Sequence, residues 1–214
     1  MENDLFTLWQ DIADRRKIAP EMAARLFADV ITRYKEPHRA YHNLQHLQEI
    51  FEKFEWIKDK LGDADAVALA LFYHDIIYDP RRADNEAKSA AYAARHLQAA
   101  GLHAAFIGKI QKMILATKDH TVRTGDDDLV YMLDIDMSIL AAPAERYAQY
   151  LQQVRQEYAH LDDAAFYAAR CDRFLRPTLK APIFKTRFFK EKYQAAAQAN
   201  LTRELSEISK FCGQ

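Results

Sequence analysis

Glycine and proline are scarce in this chain, five and six among 214 residues, and a fold of many short strands needs such residues at its tight turns. A β-sandwich or barrel is therefore disfavoured. Cysteine is scarcer still: Cys171 and Cys212 are too few to suggest a disulfide framework and lie in no CxxC spacing that would hold zinc. The expectation is a reducing compartment, with Cys171 a small buried hydrophobe rather than a nucleophile. An excess of one charge is also missing, since 30 basic residues meet 31 acidic ones. That balance does not suit a polycationic nucleic-acid binder. The longest apolar run, 66–73, is far short of the roughly 20 residues that cross a bilayer. The first 17 residues mix acids with apolar side chains and lack an export signal's uninterrupted apolar stretch. A cytoplasmic protein without a membrane anchor is expected. No glycine-rich phosphate loop is present, which removes P-loop and dinucleotide-binding enzymes.

What the chain does have is helical periodicity almost everywhere. Leu5, Leu8, Trp9 and Ile12 form one stripe, and Met22, Leu26, Phe27, Val30, Ile31 and Tyr34 form a second behind Pro20, which suits a helix's first turn. A third runs from about Asn43 through Leu47, Ile50, Phe51, Phe54 and Ile57 to Leu61, with Gly62 as the expected stop. Residues 64–73 are apolar on nearly all sides, as in a central helix covered by others. The period then breaks at 74–82, resumes at 85–100 and 103–116, and breaks again at 118–128. Further helices are expected at 144–159 and 162–175, then, after a turn from Pro177 to Pro182, to about Lys210. With no repeat or linker visible, the expectation is one all-α domain over 1–214.

Eight histidines and two aspartate-rich stretches make a metal site the first chemistry to test, because imidazole and carboxylate together suit Mn, Fe, Co, Ni or Zn. His46 lies on the third stripe, His74 and Asp75 follow directly on eight apolar residues, and Asp136 ends a hydrophobic stretch. Ionisable groups in such places cost desolvation energy unless paired or metal-bound. A rival pairing uses His42 and His46 at i, i+4, as in the HExxH zinc motif, but Asn43 stands where that motif has its catalytic Glu. Lys180, Lys185, Arg187, Lys190 and Lys192, interleaved with Phe184, Phe188 and Phe189, resemble a nucleic-acid surface. An amphipathic helix with one solvated face accounts for them better.

The order His46, His74-Asp75, Asp136 resembles the H…HD…D signature of the HD superfamily of metal-dependent phosphohydrolases. The segments YHNLQHL, LALFYHDIIYDPRRADNEAKSA, ILATKDH and LDIDMSIL look more narrowly like a small bacterial family described as metal-dependent HD phosphohydrolases. The motif-bearing core spans about 41–140. The resemblance implies an HD-type helical bundle in which His46, His74, Asp75 and Asp136 bind one divalent ion (Mn, Co, Ni, Fe, Mg or Zn). Asp134 is then an outer partner. Asp75 and Glu86 are the implied catalytic pair, with Glu86 orienting or deprotonating a water that the metal makes acidic. Arg81, Arg82, Lys118 and His120 are the implied contacts to a small, nucleotide-like phosphorylated substrate. His120 is the best candidate for holding a second metal and His96 a poor one. Two other readings stay open: a di-iron HD-type oxygenase, which needs that second ligand set, and a non-enzymatic, metal-stabilised binding or regulatory domain.

Overall fold

A computed structural model describes residues 2–121 and 125–212, and among these residues the chain is helical with no strand. By internal contacts it forms two compact units, Met1–Ile135 and Asp136–Gln214. In the first lie α1 (Glu2–Arg15), α2 (Pro20–Tyr34), α3 (Leu44–Ile57), α4 (Ala64–Tyr73), α5 (Asn85–Ala99), α6 (Ala104–Ala116) and α7 (Asp127–Asp136). The division falls between Ile135 and Asp136, the last two residues of α7.

The first unit is organised around α4, in which every residue from Asp65 to Tyr73 is buried. That helix packs against α3, α5 and α6, so its all-round apolarity leaves no side for water. Trp9 meets Phe72 edge-on at 5.1 Å between ring centroids, and Phe51 lies 4.4 Å from the same ring. Helix starts follow ordinary capping chemistry. Asn43 accepts from the Gln45 N–H at 2.8 Å, Asp63 from Ala66 at 3.1 Å and Asp126 from Leu129 at 3.3 Å. Gly62 does not stop α3, which ends at Ile57 and passes through a 3₁₀ turn, Lys58–Lys60. Its N–H instead donates to Asp128.

The second unit contains α8 (Ala144–Glu157), α9 (Asp163–Arg170), a π-helical turn (Cys171–Leu175), α10 (Arg176–Leu179) and α11 (Arg187–Glu207). Pro177, expected to open a turn, sits in the first turn of α10. Proline is tolerated there because its fixed φ suits the start of a helix. A buried polar network joins its helices: Arg170 Nε donates to Glu204 at 2.7 Å and its Nη atoms to the Tyr150 hydroxyl at 3.2 Å, while the Tyr147 hydroxyl donates to Glu204. The two cysteines correct the expectation from their number. Cys171 and Cys212, 41 residues apart in sequence, are disulfide-bonded with their Cα atoms 5.7 Å apart, because the fold returns the end of the chain to the π turn. Among the described residues no helix is long and apolar enough to cross a membrane.

Asp128 ties α7 to the start of α4. Its carboxylate accepts from the N–H groups of Gly62 and Asp63 at 2.7 and 2.9 Å and from Lys109 Nζ at 2.7 Å. Burial alone would push this carboxyl up, but the Lys109 ammonium and the two N–H groups outweigh it and hold it below its usual range. A depressed carboxyl stabilises the fold above its unfolded value of about 3.9 and loses that contribution as pH falls through the folded value. Asp128→Asn is therefore expected to cost about 1–3 kcal/mol at pH 7. The gap to the parent protein should close below about pH 4 in chemical unfolding followed by circular dichroism.

Candidate metal centre

His74 follows the last residue of α4 and Asp75 comes next, so both leave a buried helix end whose backbone groups need partners. Side chains from elsewhere supply them. The carbonyl of Tyr73 accepts from the Ile76 N–H at 3.2 Å. Arg39 donates to the carbonyls of Asp75 and Ile76 at 2.7 and 3.1 Å, and His38 Nε2 lies 2.8 Å from the Tyr78 carbonyl. Ser89 on α5 exchanges bonds with both backbone groups of Ile77, and Asn85 with both of Asp79. The loop after α4 is thus non-helical yet bonded along its length.

His74 Nδ1 lies 2.8 Å from the Leu71 carbonyl. Because a carbonyl only accepts, Nδ1 carries the proton and Nε2 of the neutral ring is a lone pair. That Nε2 is 3.1 Å from His46 Nε2 and 3.1 Å from Asp75 Oδ2, and Asp75 Oδ2 is 3.8 Å from His46 Nε2. His46, His74 and Asp136 each offer a ligand atom, all within 4.8 Å of one another. Both histidines are almost wholly buried and the two carboxylates partly so. The two imidazoles and the carboxylate oxygens lie within a few ångströms of one another, and two imidazoles with carboxylate oxygen suit a first-row divalent ion. The carbonyl that fixes the His74 ring is the kind of outer partner ligating histidines use. Asp134 is buried on the same helix and is not in this group of three.

Three neighbours of the site carry no sequence signal. Tyr34 is fully buried, and burial above all pushes its hydroxyl up to about 12, with His74 and Arg39 opposing the rise and Asp75 adding to it. It stays protonated near neutral pH. Tyr78 stacks on His42 with ring centroids 4.1 Å apart, and the side chain of Arg39 is wholly buried. In a single sequence, PHRAYHN reads as a solvated polar connection, and nothing in it separates a buried arginine from an exposed one. The HExxH reading does not hold. His42 precedes the capping residue Asn43 and lies outside α3, so it shares no helix face with His46. It approaches Asp75 Oδ2 at 4.0 Å instead.

The remaining candidates are more dispersed. Glu86 is half-buried in the first turn of α5. Arg81, Arg82 and Lys118 are exposed. Both oxygens of Asp84 already hold Arg82, at 2.7 and 2.8 Å, and Lys118 donates to the Ala83 carbonyl at 3.1 Å. His120 is half-buried in the turn four residues beyond the end of α6, with φ of 50°, a left-handed conformation uncommon for a residue with a side chain. His96 lies 3.4 Å from the Tyr73 hydroxyl and 3.8 Å from Asp29; burial above all lowers its pKa. On α11, Arg187 and Lys190 face solvent and Phe189 is buried. That division matches an amphipathic helix. Comparison with protein-family models, curated proteins and solved structures found no match.

His74→Ala and Asp136→Asn should each abolish high-affinity divalent binding while helical content survives. Asp134→Asn should weaken binding by only about 10–100-fold, the range for an outer partner. Isothermal titration of metal-free protein with Mn(II) or Co(II), corrected for folded fraction, measures all three. A larger loss at Asp134 than at Asp136 would reverse their roles.

Proposed function

We propose that this protein is an HD-type metal-dependent phosphohydrolase acting on a small, nucleotide-like phosphoester. The observation that carries the reading is the convergence of His46, His74 and Asp136, with Asp75 Oδ2 3.1 Å from His74 Nε2. When bound, a divalent ion supplies Lewis acidity, making water acidic enough to deprotonate near neutral pH and drawing charge from a phosphoryl oxygen. The chain's own part is positional. His74 presents its Nε2 because the Leu71 carbonyl holds its Nδ1 proton, and Asp75 is set beside it by a loop bonded from outside. Glu86, half-buried in the first turn of α5, is the carboxylate assigned to receive the water's proton. Arg81 and Lys118 neutralise substrate phosphate, and His120 contacts it. Arg82 contributes less, since Asp84 already occupies the Nε–Nη2 edge of its guanidinium.

A cytoplasmic location belongs to this reading. The Cys171–Cys212 bond bears against it, because disulfides are uncommon in reducing compartments. The alternatives differ in metal content. Protein purified without added ions should hold one divalent ion per chain and hydrolyse p-nitrophenyl phosphate or a nucleotide in a chelator-sensitive way. Two irons per chain point to the oxygenase, and a bound ion with no turnover across a phosphoester panel points to a binding domain. His120→Ala should leave the stoichiometry at one while raising KM or lowering kcat. A fall from two ions to one would make His120 a metal ligand.

A further inference from the structure

Arg39 is an expensive residue to bury. Its side chain is wholly inaccessible to solvent, and a cation removed from water is tolerated only with close partners. Its one carboxylate partner is Glu36, which accepts from Nε at 3.0 Å. The rest of the guanidinium is spent on peptide carbonyls: Nη1 donates to His42 at 3.2 Å and Asp75 at 2.7 Å, and Nη2 to Ile76 at 3.1 Å. These carbonyls belong to two stretches of chain. One leads into α3 and His46, and the other carries His74 and Asp75 out of α4.

We infer that Arg39 is the positioning residue of the metal centre, whose fork fixes the His46-bearing and the His74-Asp75-bearing segments at the spacing a shared divalent ion requires. The inference rests on the metal-binding reading of that site. The bond to the Asp75 carbonyl acts on the ligand residue itself, and the bond to the next carbonyl fixes the orientation of the peptide between them. Lysine cannot replace it, because one ammonium nitrogen cannot hold Glu36, two separate loop carbonyls and the His42 carbonyl in a fixed plane. Electrostatics and geometry predict opposite signs. A buried positive charge beside a cation site repels the cation, so a residue acting only through charge would, when neutralised, let the metal bind more tightly. A residue acting through the fork would, when replaced, let it bind more weakly.

The test titrates Co(II) into metal-free wild-type protein, Arg39→Lys and Arg39→Met. It records affinity per folded molecule, the visible absorption of the bound Co(II), and the unfolding midpoint of the metal-free protein. Both variants are expected to bind about 10–100-fold more weakly, the range for outer partners of a metal site, with an altered visible spectrum that reports changed ligand geometry. A purely structural role would lower the metal-free midpoint and leave affinity and spectrum of the folded molecules unchanged; that result overturns the inference, as does tighter binding by Arg39→Met. Should neither variant fold, Glu36→Ala keeps the guanidinium but removes the carboxylate that orients it. Weakened Co(II) binding with a changed spectrum then supports the inference, and unchanged binding overturns it. Absence of Co(II) binding by the wild-type protein overturns the metal reading itself, and is separated from the other outcomes because it is measured first.

Discussion

A helix that ends inside a protein cannot leave its last carbonyls to water, and the first unit is built around that constraint at the end of α4. Side chains from α5 and from the connection between α2 and α3 reach the loop from several directions. Asn85 and Ser89 bond both backbone groups of Asp79 and Ile77, and Arg39 bonds the carbonyls of Asp75 and Ile76. Each bond contributes modestly, about 0.5–1.5 kcal/mol for neutral partners and more for the charged one. Leaving any of these buried groups unpaired would cost more than the bond contributes, so the loop has little freedom. His74 and Asp75 inherit that rigidity.

The helices that carry His46 and Asp136 are held in the same way. Asn43 caps α3 and also donates to the Ala40 carbonyl at 2.7 Å, fixing where the helix carrying His46 begins. Asp126 caps α7, and Asp128 fastens it to the backbone at the start of α4. Apolar packing against Trp9, Phe51 and Phe72 supplies most of the reason α4 is buried at all, since burial of aromatic side chains dominates such cores. Packing is non-directional, however. A donor set whose atoms must meet within a few ångströms needs the directional bonds as well.

This division explains what the sequence made legible. Helix stripes and the all-round apolarity of residues 64–73 depend on local spacing, and the helices α1 to α6 follow them with shifts of a few residues at their ends. The break at His74 is visible for the same reason, because the period fails there. Partners that lie far apart in sequence leave no such trace. Arg39 acts on residues 36 and 37 positions away, and Cys171 and Cys212 are separated by 41. The NEAKSA stretch pointed to Glu86, yet the side chains of that stretch that bond the loop after α4 are Asn85 and Ser89. Their amide and hydroxyl look like ordinary helix-start residues until the loop they serve is in view. Pro177 misled in the opposite direction, since proline suits the first turn of a helix as well as a loop.

Buried polar groups occur in both units, and what distinguishes them is the kind of side chain brought together. Around Glu204, the guanidinium of Arg170 and the hydroxyl of Tyr147 donate to one carboxylate, and Tyr150 accepts from the same guanidinium. Burial drives the Tyr147 hydroxyl upward, so it remains a donor. Such a network links α8, α9 and α11 and contributes order to the interior of the second unit. Around His74 the balance is different. Its Nδ1 proton is committed to Leu71, and its Nε2 lone pair meets a second imidazole and a carboxylate oxygen, each at 3.1 Å. Stability alone does not favour such an arrangement, because replacing it with apolar side chains of similar volume is often neutral or better. Two buried imidazoles with a partly buried carboxylate, their ligand atoms within 4.8 Å of one another, are a donor set of the kind a divalent ion uses, and the guanidinium, hydroxyls and carboxylate around Glu204 are not.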